Sequence, residues 1–314
     1  MCVQKKMEPK QVPRSEGKNG YMDKIELWRD AYRIGNDKID EQHEELFHRI
    51  EKLLVMARSA DLEENRKQCE HMLDYLVEYT DFHFRSEEAL QNRENYVDYE
   101  QHKKIHEEFR NTVWVYRERI REEFSAAMLK RFLGTLLTWL TVHVQGCDQK
   151  IMKNEAIVEQ TNLSGVENVV GSVMQKLLTK LYGIEITETT TRRYGAELRG
   201  SVIIRVLLTG EQQHMLLFGL SERLVKILYN KISGLFIQQT DYLDEMEESA
   251  LIELGDIMAS YIMGALTDQK ITDYSFSGSL FFSGYSEKEF NTDHVIIDTQ
   301  TKYGTLEVLY CRLH

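Results

Sequence analysis

The spacing of apolar residues divides the chain into a helical half and a mixed half. Between about residues 38 and 152, apolar positions recur every three or four residues, which predicts amphipathic helices. We predict four of them, over residues 38–58, 62–92, 97–123 and 126–152. Because short connections make consecutive helices antiparallel, we expect an up-down four-helix bundle.

Beyond residue 165 the pattern changes to short runs of β-branched residues separated by turns. We predict further helices over residues 166–182, 221–232 and 241–266, the second of them capped by Ser221. We predict strands near residues 184–189, 201–208, 214–219, 275–283, 294–298 and 305–312. This order is typical of an α+β domain with an antiparallel sheet and long helices.

The chain is therefore predicted to be a multidomain protein, and its 314 residues are enough for two cores. We expect a disordered arm over 1–24, the bundle over 25–155, a linker over 156–164 and the α+β domain over 165–314. The arm carries both prolines and is rich in charged and polar residues, a composition typical of disorder.

The composition of the chain excludes some classes of binding partner. A net charge of −12 argues against nucleic acid or an anionic membrane surface as the main partner, because phosphates would be repelled. No apolar run approaches the length of a membrane span, and the N-terminus lacks the apolar core of a signal peptide, so we expect a cytoplasmic protein. The four cysteines have no paired spacing, which predicts neither a disulfide framework nor a cysteine zinc site.

Seven side chains of metal-binding type lie on the apolar stripes of the four predicted helices. In an up-down bundle their positions all fall at the same end. Two pairs four residues apart can each point at one spot, because such residues differ by about 40° in direction. A lone histidine on such a stripe is more often a core residue, but a converging set predicts a metal site. The seven are His43, His83, Glu87, His102, His106, His143 and Asp148.

The number and type of these side chains indicate the metal. Seven ligands are too many for one ion of ordinary coordination number, so two ions fit better. Imidazole and carboxylate ligands suit iron. Asp148 lies five residues after His143, so the fourth helix must bend or end between them, and Gly146 permits this.

Residues 25–155 resemble a bacterial hemerythrin domain. The matching elements are the Trp28 arm, Gly35, Ile39-Asp40-Glu41-Gln42-His43, His83-Phe84-x-x-Glu87-Glu88, His102-x3-His106 and His143-x4-Asp148. The resemblance implies two non-haem iron ions bridged by an oxo or hydroxo group and by Glu87 and Asp148, with three histidines on one iron and two on the other. O2 is the implied ligand. Leu140 would line the oxygen pocket, or would otherwise be an ordinary core leucine.

The long helix predicted over 241–266 carries Glu253 and Asp256 on one face. By spacing alone they form a solvated acidic face. The stretch from Glu247 to Ser260 also resembles the helix of the CheX and CheC chemotaxis phosphatases. In that family a Glu pairs with a lysine of a phosphorylated response regulator, and an Asn three residues later orients the attacking water.

Glu253 matches the Glu of that motif, and Asp256 stands where the family has Asn. A carboxylate only accepts hydrogen bonds, whereas an amide also donates. The resemblance therefore implies binding of a response regulator, with hydrolysis slowed unless Asp256 is protonated or acts as a base.

Together the two resemblances imply an oxygen- or redox-responsive diiron regulator. It would bind, and in one version dephosphorylate, a phosphorylated CheY-like response regulator in a chemotaxis-type pathway, and it is compatible with a homodimer. A change at His143 and Asp148 would pass along the last bundle helix into the second domain. Two alternatives stay open: an oxygen or iron storage protein whose C-terminal domain only dimerises or localises it, and an adaptor with a vestigial metal site.

Overall fold

The computed structural model describes residues 26–57, 66–157, 165–193, 198–209, 213–237, 243–267, 275–283 and 294–313. The arm predicted over 1–24 and most of the predicted linker lie outside these residues. Within the described residues, a helical half precedes a half built on a sheet, as the hydrophobic pattern predicts.

Four helices form the N-terminal half, α1 (Asp37–Ala57), α2 (Arg66–Arg93), α3 (Tyr99–Glu122) and α4 (Ala126–Gly146). Their apolar stripes enclose one core of leucine, isoleucine and aromatic side chains. The segment before α1 lies on this core, where Tyr32 stacks on Phe47 with ring centroids 5.0 Å apart. The Asp40 carboxylate accepts the Ile34 N–H at 2.7 Å and so fixes the entry into α1.

Helix α4 ends at Gly146, earlier than the predicted boundary near residue 152. A 3-10 turn (Asp148–Lys150) follows and directs Asp148 back into the bundle. The helix therefore ends between His143 and Asp148, as predicted, although Gly146 is not among the glycines with positive φ. A Cβ at Gly146 would lie 3.0 Å from the Tyr261 hydroxyl, so this glycine instead allows another helix to approach closely.

The second half begins with α5 (Val166–Lys176), which continues as a π-helical turn (Leu177–Leu181). The later elements are β1 (Ile186–Arg193), β2 (Val202–Thr209), β3 (Gln213–Leu220), α6 (Glu222–Ser233), α7 (Glu245–Thr267), β4 (Ser275–Ser283), β5 (His294–Thr301) and β6 (Gly304–Leu313). The described strands form one antiparallel sheet in the order β1-β5-β6-β3-β2-β4. The fold class predicted from the sequence is confirmed.

Ser221 stands at the N-cap of α6, as predicted, but its side chain does not cap the helix. Its hydroxyl oxygen instead accepts the Thr305 N–H at 3.1 Å, which ties the start of α6 to β6. The capping role predicted for this serine is therefore wrong, because a strand N–H competes for the same oxygen.

Helix α7 lies between the bundle and the sheet, against α4 on one side and β2, β4 and α5 on the other. A Cβ at Gly134 of α4 would overlap the Met246 carbonyl, and one at Gly255 would lie 2.6 Å from Ile204, so glycines allow both close approaches. We expected no apolar run of membrane-spanning length, but within the described residues the segment Glu245–Leu266 is a helix long and apolar enough to cross a membrane. Half of its apolar window is buried, as in a core helix.

Polar contacts also connect the two halves. The Lys130 ammonium of α4 lies 3.2 Å from Asp244 and 3.6 Å from Glu245, at the start of α7. The Thr141 hydroxyl donates to the Ile232 carbonyl of α6 at 3.2 Å. Arg29 donates to the Lys231 carbonyl at 2.9 Å, where a cation suits the end of a helix.

Candidate metal centre

The structure brings all seven predicted ligands together at one end of the bundle. Six are 0% exposed and His143 is 4% exposed. Helices α1 to α3 position the first five, the end of α4 positions His143, and the 3-10 turn after it positions Asp148. A set of charged and imidazole groups this deep in an apolar core is costly unless a cation compensates the carboxylates.

The seven side chains form two groups that share one carboxylate. In each group, one ligand atom from every member lies within 4.8 Å of the others. The first group is Glu87, His102, His106, His143 and Asp148, and the second is His43, His83 and Glu87. This separation into three histidines and two histidines gives two adjacent places for an ion.

Each carboxylate directs one oxygen at each group. Glu87 Oε1 lies 3.2 Å from His102 Nε2, and its Oε2 lies 3.4 Å from His83 Nε2. Asp148 Oδ1 lies 3.0 Å from His143 Nε2, and its Oδ2 lies 3.2 Å from His43 Nε2. Two carboxylates arranged in this way can bridge a pair of ions.

The polar atoms at the centre of the cluster fit a metal better than they fit each other. Buried atoms without a hydrogen-bond partner include His43 Nε2, His83 Nε2, Glu87 Oε2 and both Asp148 oxygens. His102 Nε2 and His106 Nε2 face His143 Nε2 at 2.9 and 3.0 Å. Two ligand atoms that each lie about 2.1 Å from one ion, in directions at right angles, are about 3.0 Å apart. The observed separations therefore suit ligands of a shared ion. The cluster can bind metal.

Burial and neighbouring charged groups together set the pKa values of the cluster. Burial, then the neighbouring His43, lowers the pKa of His83, and burial, then His102, lowers the pKa of His106, so both favour the neutral form that binds metal. Burial and then the Asp148 charge raise the pKa of Glu87. Burial would also raise the pKa of Asp148, but His143 and two other histidines outweigh it and hold that pKa well below its usual range.

A further set of side chains orients these ligands, and the sequence did not predict its role. His83 Nδ1 lies 3.1 Å from Gln42 Oε1, and His106 Nδ1 lies 3.1 Å from Glu88 Oε1. Each contact suits an Nδ1–H donor and leaves Nε2 facing the centre. The Gln91 amide donates to Glu87 Oε1 at 2.6 Å. The available signal was position, since Gln42 and Glu88 adjoin ligands and Gln91 follows Glu87 by one helical turn.

Aromatic rings close the cluster on the side of α4. Trp139 stacks on the His143 ring at 4.1 Å, and Phe84 stacks on the His106 ring at 3.9 Å. Leu140 is 3% exposed in the bundle core, one turn before His143. The two aromatic rings restrict the orientation of the imidazoles on which they stack.

Comparison with known proteins agrees with this geometry. The family model of the hemerythrin HHE cation binding domain matches residues 34–153. A bacteriohemerythrin from Pseudomonas paraeruginosa is 30% identical over 122 residues, which are 39% of this chain and 76% of that protein. The chain belongs to the hemerythrin family. A bacteriohemerythrin from Stenotrophomonas maltophilia is 29% identical over 158 residues, 50% of this chain and 97% of that one.

Solved structures similar to the half that follows the hemerythrin domain are CheX and CheC-like chemotaxis proteins. A CheC-like superfamily protein from Shewanella sp. PV-4 has a TM-score of 0.40 at 18% identity, and the match covers 48% of this chain and 97% of that one. The match to a CheX–CheY–BeF3–Mg2+ complex from Borrelia burgdorferi has a TM-score of 0.38 at 18% identity and covers 48% and 96%.

Glu253 and Asp256 line a cavity between the hemerythrin domain and α7. Its volume is about 410 Å³. Both acids are half-buried, not fully solvated, because α3 and α4 form the opposite wall. The lining includes Glu108, Trp139, His143, Cys147, Glu253 and Asp256. The cavity therefore joins a candidate iron ligand of the hemerythrin domain to the acidic pair.

The cavity changes the expected behaviour of its titratable groups. Burial, and then the Asp256 charge, raises the pKa of Glu253 to about 8. Burial, and then Asp148, raises the pKa of the Cys147 thiol to about 12, so Cys147 stays protonated beside the metal cluster. Its sulfur lies 3.8 Å from the Tyr261 hydroxyl of α7. Ile257 lines the cavity together with the acids.

Proposed function

We propose that this chain is an oxygen- or redox-responsive diiron regulator whose second half binds a phosphorylated CheY-like response regulator. The observation that carries the proposal is the shared cavity, in which His143 of the hemerythrin domain and Glu253 of α7 face the same space. The partner class comes from the resemblance of the Glu253-x-x-Asp256 stretch to the regulator-binding helix of the chemotaxis phosphatases.

The seven-residue cluster would hold the two iron ions, with Glu87 and Asp148 as bridges. When bound, iron supplies reversible binding of O2 and a change of oxidation state. The protein lowers the pKa of His83 and His106, which favours their neutral forms, and orients these two rings through Gln42 and Glu88. Trp139 and Phe84 form an apolar wall against the imidazoles of His143 and His106. An apolar wall of this kind slows loss of a bound ligand to solvent.

We expect Glu253, which lines the same cavity as His143, to respond to the charge of the metal cluster. With a pKa of about 8 it is mostly protonated at neutral pH. If oxidation made the metal site beside His143 more positive, the ionised form of Glu253 would be favoured, because opposite charges attract. Glu253 would then gain the charge that it needs to pair with a lysine of a receiver domain, so its affinity for the regulator would rise on oxidation.

Asp256 makes binding a better expectation than fast hydrolysis. An ionised Asp256 only accepts hydrogen bonds, so it cannot orient an attacking water by donating to it, as the amide of an Asn can. We therefore expect a slow phosphatase or a pure binding module.

The test is the decay of a phosphorylated CheY-like regulator from the same genome, measured with iron-loaded protein under anoxia and in air. Binding of the regulator is measured in parallel by fluorescence anisotropy. We expect binding that strengthens in air and is lost in Glu253→Ala. Glu248→Ala, in the first turn of the same helix and outside the cavity lining, is the matched control and should behave as wild type. Binding that is equal in all three proteins and in both atmospheres would contradict the proposal.

One observation favours a second function, oxygen or iron binding with the C-terminal half as a dimerisation or localisation module. Helices α3 and α4 cover the face of α7 that carries the acidic pair, which restricts access by another protein. In that case iron and O2 would bind normally, and the regulator would not bind in either atmosphere.

A further inference from the structure

A second cavity lies at the same junction, and Tyr261 lines both. Its volume is about 430 Å³. Its walls come from the end of α4, the 3-10 turn and the segment to Ile157, α5 with its π-helical turn, and α7. The cavity therefore contacts both halves of the molecule and lies beside the turn that carries Asp148.

Positive charge distinguishes this cavity from the first. Four lysines and one carboxylate, Glu155, are among its lining residues. The lysines are Lys150, Lys153, Lys176 and Lys180. The first cavity carries the opposite charge: the described residues that line it include three carboxylates and no lysine or arginine. In a chain of net charge −12, four lysines around one concave surface are a local reversal of sign.

The four lysines differ in their contacts and in their exposure. The Lys150 ammonium donates to the carbonyls of Ala156 and Ile157, at 3.0 and 2.6 Å, so it holds the segment after the 3-10 turn. Lys153 and Lys180 are exposed at the mouth, and Lys176 is half-buried. An ammonium has three donors and binds phosphate as a point charge. Lys153, Lys176 and Lys180 can thus contribute to one anion site.

The rest of the wall is apolar and includes an unusual stretch of helix. Val173, Leu177, Leu181 and Ala265 line the cavity together with the ring of Tyr261. Leu177, Lys180 and Leu181 all belong to the π-helical turn. Such turns are rare and occur often at functional sites. Here the turn places two apolar side chains and one cation on the same cavity.

We propose that this cavity binds a small organic phosphate, with the phosphate among the lysines and the organic part against Leu177, Leu181 and Tyr261. Its volume is in the range of ligand sites, which combine a mostly apolar wall with a few polar groups. A ligand here contacts both halves of the molecule and stabilises their junction. The proposal does not depend on binding of a response regulator.

The test uses the full-length, iron-loaded chain and isothermal titration calorimetry with three probes. ADP carries both parts of the predicted ligand, inorganic pyrophosphate carries only the charge, and adenosine carries only the rings. We expect ADP to bind at least tenfold more tightly than either of the others, and its binding to weaken as salt is raised. Bound ADP should also raise the melting temperature.

The variant Lys153→Gln/Lys180→Gln leaves Lys150 and its carbonyl contacts intact and should weaken ADP binding at least tenfold. The matched control, Lys52→Gln/Lys67→Gln on α1 and α2, should bind as wild type. Far-UV circular dichroism checks that both variants fold. Unchanged ADP affinity in the Lys153/Lys180 variant would overturn the proposal. The same result is expected if ADP binds at the iron. So would the absence of saturable binding by ADP and pyrophosphate at millimolar concentration.

Discussion

The metal cluster and the acidic pair of α7 both place carboxylates away from bulk water, but they differ in enclosure. Glu87 and Asp148 are fully buried within one domain and face five histidines. Glu253 and Asp256 are half-buried between two domains and face a cavity. The first arrangement needs a cation, because buried carboxylates are costly without one. The second faces open space, so its charge can change without a bound cation.

The largest effect should follow from removing one bridge of the enclosed site. Glu87→Gln keeps the shape but removes a charge that contacts both histidine groups. We expect loss of most bound iron and, because buried polar partners are left uncompensated, a loss of about 3–5 kcal/mol in unfolding free energy. Iron per chain and urea denaturation provide the measurements.

The neighbouring Glu88→Gln is the control for that change. It touches His106 from outside and should weaken iron binding by only about 10–100-fold. Full iron occupancy in Glu87→Gln would remove the distinction between the enclosed site and the acidic pair.

The next largest effect should come from the contact between α4 and α7. A methyl group at Gly134 would overlap the Met246 carbonyl, so Gly134→Ala should cost about 1–3 kcal/mol and loosen the cavity. Gly171→Ala in α5 adds its methyl group at an ordinary 3.5 Å from Thr189 and should stabilise by up to about 1 kcal/mol. Thermal denaturation of the two variants gives the comparison. Effects of the same sign and size would show that the junction is not tightly packed at Gly134.

A smaller effect tests the titration of Glu253 in the half-buried acidic pair. The pKa of Glu253 is about 8 in the folded chain and near 4.5 when unfolded. The folded state therefore binds the extra proton between these values, and its stability falls as pH rises from about 4.5 to about 8. We expect Glu253→Gln to lose this dependence and to be more stable than wild type at pH 8.5.

The size of that gain should be about 1 kcal/mol, because solvent at the cavity mouth screens the charge and one pKa unit corresponds to about 1.4 kcal/mol. Urea denaturation at pH 5 and pH 8.5 measures it, with Glu248→Gln as the control. Parallel pH profiles for wild type and Glu253→Gln would mean that Glu253 titrates normally.

The smallest effect should come from the ion pairs at the start of α7. Lys130 contacts Asp244 and Glu245 at a partly exposed position, where such pairs contribute about 1 kcal/mol or less. Lys130→Gln should lower stability by no more than that, and less in high salt. A larger loss would show that these charges, not the glycine contact, hold the domains together.

Local spacing explains why much of the molecule could be predicted from its sequence. The four bundle helices and the seven clustered side chains follow from periodicity and four-residue spacings, which act within one element or between adjacent helices. The end of α4 between His143 and Asp148 could be predicted from their spacing, but the close approach of Tyr261 to Gly146 could not, because Tyr261 lies more than a hundred residues away. The half-burial of Glu253 depends on α3 and α4 in the same way. No pattern along α7 itself contains that information.

The account rests on a link between the metal cluster and α7, and hydrogen exchange of the iron-loaded chain tests it most directly. Exchange of the α7 amides is measured by mass spectrometry in the reduced protein under anoxia and again after exposure to O2. We predict a change in protection in the turns of α7 around Glu253 and Tyr261, which face the cavity. We predict no change in strand β2, which packs against another side of α7. Identical protection of α7 in the two states would contradict the link, and would leave the hemerythrin domain and the second half as independent modules.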